Sequence, residues 1–271
     1  MHRLNIRGKY GRMRTCNILL LFLLLSLLSC EKDPLINGNC SQTPPGMLCK
    51  TYFFENDQCI GYIEHYYDSA YRERNQIYRN PKGRNKMKVT FSYNASGLLS
   101  VKHVNKEASG NTESTLYVYN SNSTPLREEY YANGTLLGKK EFFFTDSLLT
   151  GMKVYYNNEP DSIITLEYDT DHFLWRKSIF NSDSTLMARE IHSFYENNIE
   201  RIDLYDAFNV FRGYQLLHSD SNGNLLTNAH YKSDQTLTEM ISYTYSAGKP
   251  ERITFLDALG KVKSYTAFFY N

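Results

Sequence analysis

The sequence predicts an all-β fold: a long antiparallel meander of repeated hairpins, curled into a half-barrel, a barrel or a spiral shell. Three observations predict it. Aromatic residues that close alternating runs recur at spacings of twelve or thirteen, at Tyr119, Tyr131, Phe144, Tyr156, Tyr168 and Phe180, and the beat continues at Tyr205, His218, Tyr231 and Tyr245. A six-residue turn signature separates many of these runs. Within the runs, apolar and polar residues alternate.

The aromatic beat sets the unit. A repeat of this length is one strand plus a short turn, so successive strands run antiparallel. Tyrosine dominates the apolar inventory, with 23 Tyr against a single Trp, and large rings with a polar tip suit a pleated, half-wet surface.

The turns follow. Asn94-Ala95-Ser96-Gly97-Leu98-Leu99, Asp220-Ser221-Asn222-Gly223-Asn224-Leu225 and Asp257-Ala258-Leu259-Gly260-Lys261-Val262 share one pattern, Asx, two free positions, Gly, one free position, then an aliphatic residue. Asp206 to Phe211 repeats it with Asn209 in the glycine's place. The Asx side chain accepts from the turn's own amides, and Gly or Asn tolerates the positive φ needed to leave it. Between turns, Val89, Phe91 and Tyr93 point one way and Lys88, Thr90 and Ser92 the other; Leu237, Glu239, Ile241, Tyr243 and Tyr245 alternate with Thr238, Met240, Ser242 and Thr244. Twist accumulates across so long a meander and forces it to curl. Residues 62 to 78 match neither signature and receive no assignment.

Ahead of the meander lie a leader and a tether. Arg3, Arg7, Lys9, Arg12 and Arg14 precede an apolar run from Ile18 to Leu28 that ends in Leu27-Leu28-Ser29-Cys30. A helix over that run would be about 16 Å long, roughly half of a bilayer's hydrocarbon core, so it reads as a removable signal rather than a permanent span. Met13 opens a compact version of the same leader and is a candidate start. The closing residues resemble the bacterial lipobox, with Leu27 three before the cysteine and Ser29 just before it. That resemblance implies cleavage before Cys30 and a lipid on its thiol, an anchor to the bacterial cell envelope, expected at the outer membrane. Glu31-Lys32-Asp33 resembles the signals that send some lipoproteins to the cell surface. The expected organisation is a signal peptide over 1–29, a lipid anchor and flexible tether over 30–47, rich in Pro34, Pro44 and Pro45, and a repetitive β domain over 48–271.

Processing at Cys30 removes five of the 30 basic residues and none of the 29 acidic ones, leaving 25 against 29 and a net charge of −4. No basic stripe remains to neutralise phosphates, which argues against a nucleic-acid partner. Cys40, Cys49 and Cys59 follow the lipid site. A bridge of Cys49 with Cys59, or of Cys40 with Cys49, would staple the start of the domain, and three unpaired thiols in a small apolar cluster is the remaining arrangement.

Tyr168-Asp169 and Tyr205-Asp206, with the Asx and Gly turns, resemble the YD repeats of RHS-type cell-surface proteins, and Tyr130-Tyr131-Ala132-Asn133-Gly134-Thr135-Leu136 resembles a MORN-type repeat. The resemblance covers residues 87 to 271 and implies a short repeat array on a lipid anchor. Phe180-Asn181 and His218-Ser219 depart from the YD dipeptide.

No catalytic motif or metal-ligand spacing occurs among His65, His103, His172, His192, His218 and His230. His218 and His230, one repeat apart, are expected at equivalent positions of neighbouring strands. No cofactor is expected. Asp68-Ser69-Ala70, Asp146-Ser147-Leu148, Asp161-Ser162-Ile163 and Asp183-Ser184-Thr185 resemble acceptors for O-glycosylation of exported bacterial proteins, and Asp-Ser is equally good turn material. The expectation is a non-enzymatic binding protein meeting a protein or glycan on a sheet face. A two-carboxylate glycan hydrolase and an assembly accessory offering an edge strand are the alternatives.

Overall fold

A computed structural model describes residues 40–271. Cys30, the leader and the possible start at Met13 lie outside the described residues. The first half of the body is β1 (Leu48–Glu55), β2 (Gln58–Tyr67), β3 (Glu73–Arg79), β4 (Asn85–Tyr93), β5 (Leu99–Lys106), β6 (Asn111–Tyr119), β7 (Pro125–Ala132), β8 (Thr135–Thr145) and β9 (Leu148–Tyr156). The second half is β10 (Glu159–Tyr168), β11 (Leu174–Asn181), β12 (Leu186–Tyr195), β13 (Ile199–Asp206), β14 (Phe211–Ser219), β15 (Leu225–Lys232), β16 (Leu237–Ser246), β17 (Lys249–Asp257) and β18 (Val262–Tyr270). Each strand pairs antiparallel with the next, and β1 pairs with β18, from Leu48 opposite Tyr270 to Glu55 opposite Ser264. The 18-stranded meander is a closed barrel.

The turns form as their side chains dictate. In the loop after β4, Asn94 Oδ1 accepts from the amides of Ser96 and Leu98, and Gly97 takes a φ of 79°. Asp220 and Asp257 make the same pair of bonds ahead of Gly223 and Gly260. Asp206 does so ahead of Asn209, whose φ is 60°. The unassigned stretch 62–78 is the same device: Asp68 accepts from Ala70 and Arg72, but Tyr71 holds the positive φ where a glycine would have announced the turn.

The aromatic beat falls on the two rims in turn, Tyr119 and Tyr168 closing even-numbered strands and Tyr131 and Tyr156 odd-numbered ones. Tyr67, Tyr93, Tyr119, Tyr168 and Tyr245, each at or near the end of an even-numbered strand, donate their hydroxyls to the carbonyls of Leu48, Glu73, Leu99, Leu149 and Leu225. Each acceptor lies 19 or 20 residues back, at the start of the preceding strand, so every such Tyr pins a hairpin's open end.

Register fixes two faces around the ring. One carries Tyr52, Tyr62, Thr90, Glu129, Lys139, Arg176, Arg201 and Arg252; the other carries Thr51, Ile63, Val89, Tyr130, Ile179, His192 and Tyr243. Both faces hold charge at mid-strand. On the first, Arg127 faces Glu141, Glu129 faces Lys139 and Glu141 faces Lys153 across β7, β8 and β9. On the second, Glu128 faces Lys140 and Lys177 faces Glu190. A lipid-facing belt must be apolar all round, and each Lys or Arg at the bilayer midplane costs about 2–4 kcal/mol. Neither face offers such a belt.

Eighteen strands enclose a ring too wide for side chains to fill. Among the described residues the buried apolar ones are Cys49, Tyr52, Phe54, Ile63, Val89 and Ala229, and four of the six lie in β1 and β2. Packing is densest where the ring closes. Tyr52 stacks on Tyr62 and meets Phe269 edge-on, and Phe54 stacks on Tyr265.

The expected flexible tether is fixed over its last part. Gly46 and Asn271 are joined through their backbones, Asn271 donates to Met47, its side chain bonds the Thr43 carbonyl, and Thr43 is buried. Cys40 is bridged to Cys49, which ties this segment to β1, while Cys59 lies outside the bridge with its thiol toward the Gly61 carbonyl.

Candidate functional site

A half-open cleft of about 760 Å³ lies at the rim where the β16–β17 turn meets the end of β18. Its size suits a small organic ligand. The local sequence builds it simply. Ala247 and Gly248 make a two-residue turn with positive φ at both, of the kind that matches strand twist. Lys249 and Pro250 then open β17, and Arg252 lies between Thr244 and Ala267 in register.

Arg252 is the arginine of this cleft. Its guanidinium lies 3.7 Å from the Tyr265 ring centroid, and its Nε is buried with no hydrogen-bond partner. Lys249 Nζ donates to the Gly46 carbonyl at 2.5 Å and sits 5.1 Å from the Tyr270 ring. Phe268, Phe269, Pro250 and Ala267 supply apolar wall. Glu251 is the one carboxylate of the lining and is exposed. A two-carboxylate glycosidase needs a facing pair, and this lining supplies a single carboxylate.

A second polar region lies on the other face of β11 to β16. His192 donates toward Glu200 through Nδ1 at 2.7 Å, and Glu190 is 3.7 Å from its Nε2 and holds Lys177 at 2.8 Å. Burial pulls the imidazole pKa down, but Glu190 and Glu200 outweigh it and push it up to about 9. Next in the same row, Gln215 faces His230, and His230 faces Glu239. At its centre Lys177 and His192 meet Glu190 and Glu200, two cations against two carboxylates, which makes this a structural network.

A third constellation was missed by sequence reasoning. Thr51 Oγ1 lies 3.0 Å from His65 Nε2, and His65 Nδ1 lies 2.5 Å from Glu73, which Gln76 braces at 2.9 Å. The order hydroxyl, imidazole, carboxylate is that of nucleophilic catalysis. Thr51 and His65 are both buried, at 5% and 7% exposure, so no substrate reaches the hydroxyl. The network satisfies polar groups inside the closure instead. Its members come from three strands, and only the register brings them together.

The sequence-derived sites are dispersed. Ser69, Ser147 and Ser184 are exposed in turns, with positive φ at Ser147 and Ser184. Ser162 is half-buried inside β10, opposite Asn181 and Val154, and is not a turn residue. His218 and His230 occupy opposite faces and not equivalent ones. The bulges between His218 and Ser219 and between His230 and Tyr231 shift the phase of the alternation that the spacing assumed. Among the described residues no cluster of His, Cys, Asp and Glu is arranged to hold a metal ion.

No family model matches the chain, and no curated protein does. Among solved structures, a porin-like protein from Bacteroides uniformis aligns at 10% identity over 84% of this chain and 99% of its own, with a TM-score of 0.46. A porin-like protein from Bacteroides vulgatus aligns at 8% identity over 83% and 99%, with a TM-score of 0.39. A structure of TcdB2-TccC3 without its hypervariable C-terminal region aligns at 11% identity over 74% of this chain and 14% of that one, with a TM-score of 0.36. Likenesses at this level carry no argument about function.

Proposed function

We propose that the chain is an exported envelope protein, lipid-anchored at Cys30, whose barrel binds a ligand without performing chemistry on it. One observation carries the reading: a closed sheet with charge on both faces and little packed core, offering wet surface and a rim cleft rather than a lipid belt or an accessible nucleophile. The Asx turns support a YD-like repeat as the building unit, because many strands are followed by a side-chain-capped turn. The two alternatives lose their footing. A ring has no free edge for a partner strand to pair with, and the cleft lacks the carboxylate pair of a glycan hydrolase.

The leader supports the anchor, since two acyl chains hold a protein stably where one does not. The test is fatty-acid labelling and detergent partitioning of the wild type against Cys30→Ala. The expected result is a labelled, detergent-phase wild type and an unlabelled, aqueous variant. Equal labelling of both, or an aqueous wild type, would remove the anchor from the account.

A further inference from the structure

We propose that the cleft between the β16–β17 turn and the end of β18 binds a carboxylate borne on a flat or apolar ring, gripped by Arg252. This rests on the binding reading above and names the ligand's chemistry.

Most of the other described arginines are ion-paired. Arg79, Arg127, Arg176, Arg201 and Arg212 each hold a carboxylate of their own or a neighbouring strand. Arg252 does not, nor do Arg74, Arg84 and Arg189, but of these four only Arg252 lines the cleft; among the described residues no carboxylate lies within ion-pair distance of it. Stacking on Tyr265 holds the guanidinium in one plane and leaves its N–H edge to meet a planar, two-oxygen acceptor, the geometry in which Arg binds carboxylate most strongly. Its Nε is buried without a partner, so the two terminal nitrogens of the guanidinium are the donors left to meet an incoming oxygen.

The walls decide what carries the carboxylate. Phe269, Tyr270, Pro250 and Ala267 are ring or apolar surface, which favours a body with a face rather than a bare inorganic anion. Lys249 adds positive potential at the mouth while its Nζ stays tied to Gly46. Two sources share this chemistry, an acidic sugar and an aromatic acid.

The experiment is a titration of the full chain in detergent, followed by calorimetry or by shifts of labelled aromatic resonances. The probes are D-glucuronate and benzoate, with their neutral counterparts glucose and benzamide. Saturable binding of a carboxylate, with its neutral counterpart at least about tenfold weaker, is expected; preference for glucuronate assigns the sugar source and preference for benzoate the aromatic one. Arg252→Gln is expected to weaken binding by about tenfold or more. Thr244→Trp, at an exposed position beside Arg252, fills the cleft without touching its charge and decides the matter should the Arg252 variant not fold. No binding of either acid, equal binding of acid and neutral probe, or binding indifferent to both substitutions overturns the inference. The readout does not depend on the anchor, so failure here with normal fatty-acid labelling sinks the ligand assignment alone.

Discussion

The seam where β1 meets β18 and the arc from β10 to β13 are held together differently. At the seam Tyr52 is 1% exposed and packs against Tyr62 and Phe269, with Phe54 on Tyr265 beside it. On the arc Phe194 and Phe173 are about half exposed and Trp175 over a third, and cross-strand pairs such as Lys177 with Glu190 and Arg176 with Glu167 line the sheet. Chain entropy explains the contrast. Every arc hairpin closes a short loop through its own turn, whereas β1 and β18 must be brought together across nearly the whole body. Apolar burial is concentrated where closure costs most.

This difference can be broken first at Tyr52. Tyr52→Ala is expected to cost about 3–5 kcal/mol in urea unfolding, the range for emptying a buried aromatic site. Phe194→Ala on the arc is expected to cost less than about 1 kcal/mol, because half of that ring is already in water. Equal costs would mean that the seam is no better packed than the arc.

The staple beside the seam comes next. Replacing Cys40 and Cys49 together by Ser opens a bridge spanning nine residues, and the expected loss is about 2–3 kcal/mol by loop-closure entropy. Cys59→Ser serves as the control, with a melting midpoint expected close to the wild type.

A smaller effect sharpens the account of the turns. Asp220→Ala removes the acceptor of the Asn222 and Asn224 amides, with an expected loss of about 1 kcal/mol. That loss should be the same whether or not the Cys40–Cys49 bridge is intact, since a local turn does not sense closure.

The last effect is one of pH and belongs to the arc's polar network. The His192 pKa rises from its ordinary 6.5 to about 9 on folding, so its stabilising contribution is full below pH 6.5 and is lost as pH climbs through 9. Unfolding midpoints measured across that window should fall for the wild type and fall less for His192→Gln. Parallel profiles for the two proteins would show that His192 is not held charged by Glu190 and Glu200.

How much of this is legible in the sequence follows the same division. Turns at Asn94, Asp206, Asp220 and Asp257 declare themselves because their geometry depends on residues within six positions. The turn at Asp68 hides because Tyr71 replaces the glycine, and a side chain that tolerates the strained φ leaves no compositional mark. The alternation of Val89, Phe91 and Tyr93 holds, while the faces of His218 and His230 slip wherever a bulge adds a residue. Closure, the Thr51–His65–Glu73 network and the cleft at Arg252 are set by register between strands remote in the chain. No local pattern encodes that register. Of the candidate site, the sequence shows the Tyr and Phe that end β18 and nothing of the arginine that faces them.

Residue-resolved amide hydrogen exchange tests closure most directly. In a closed ring alternate mid-strand amides of β1 and β18, around the Phe53–Thr266 register position, bond across the seam, and all of them should exchange as slowly as those of interior strands such as β5 and β14. If every second amide of β1 and of β18 instead exchanged at the rate of an unpaired edge strand, the barrel would be an open sheet and the seam would not exist.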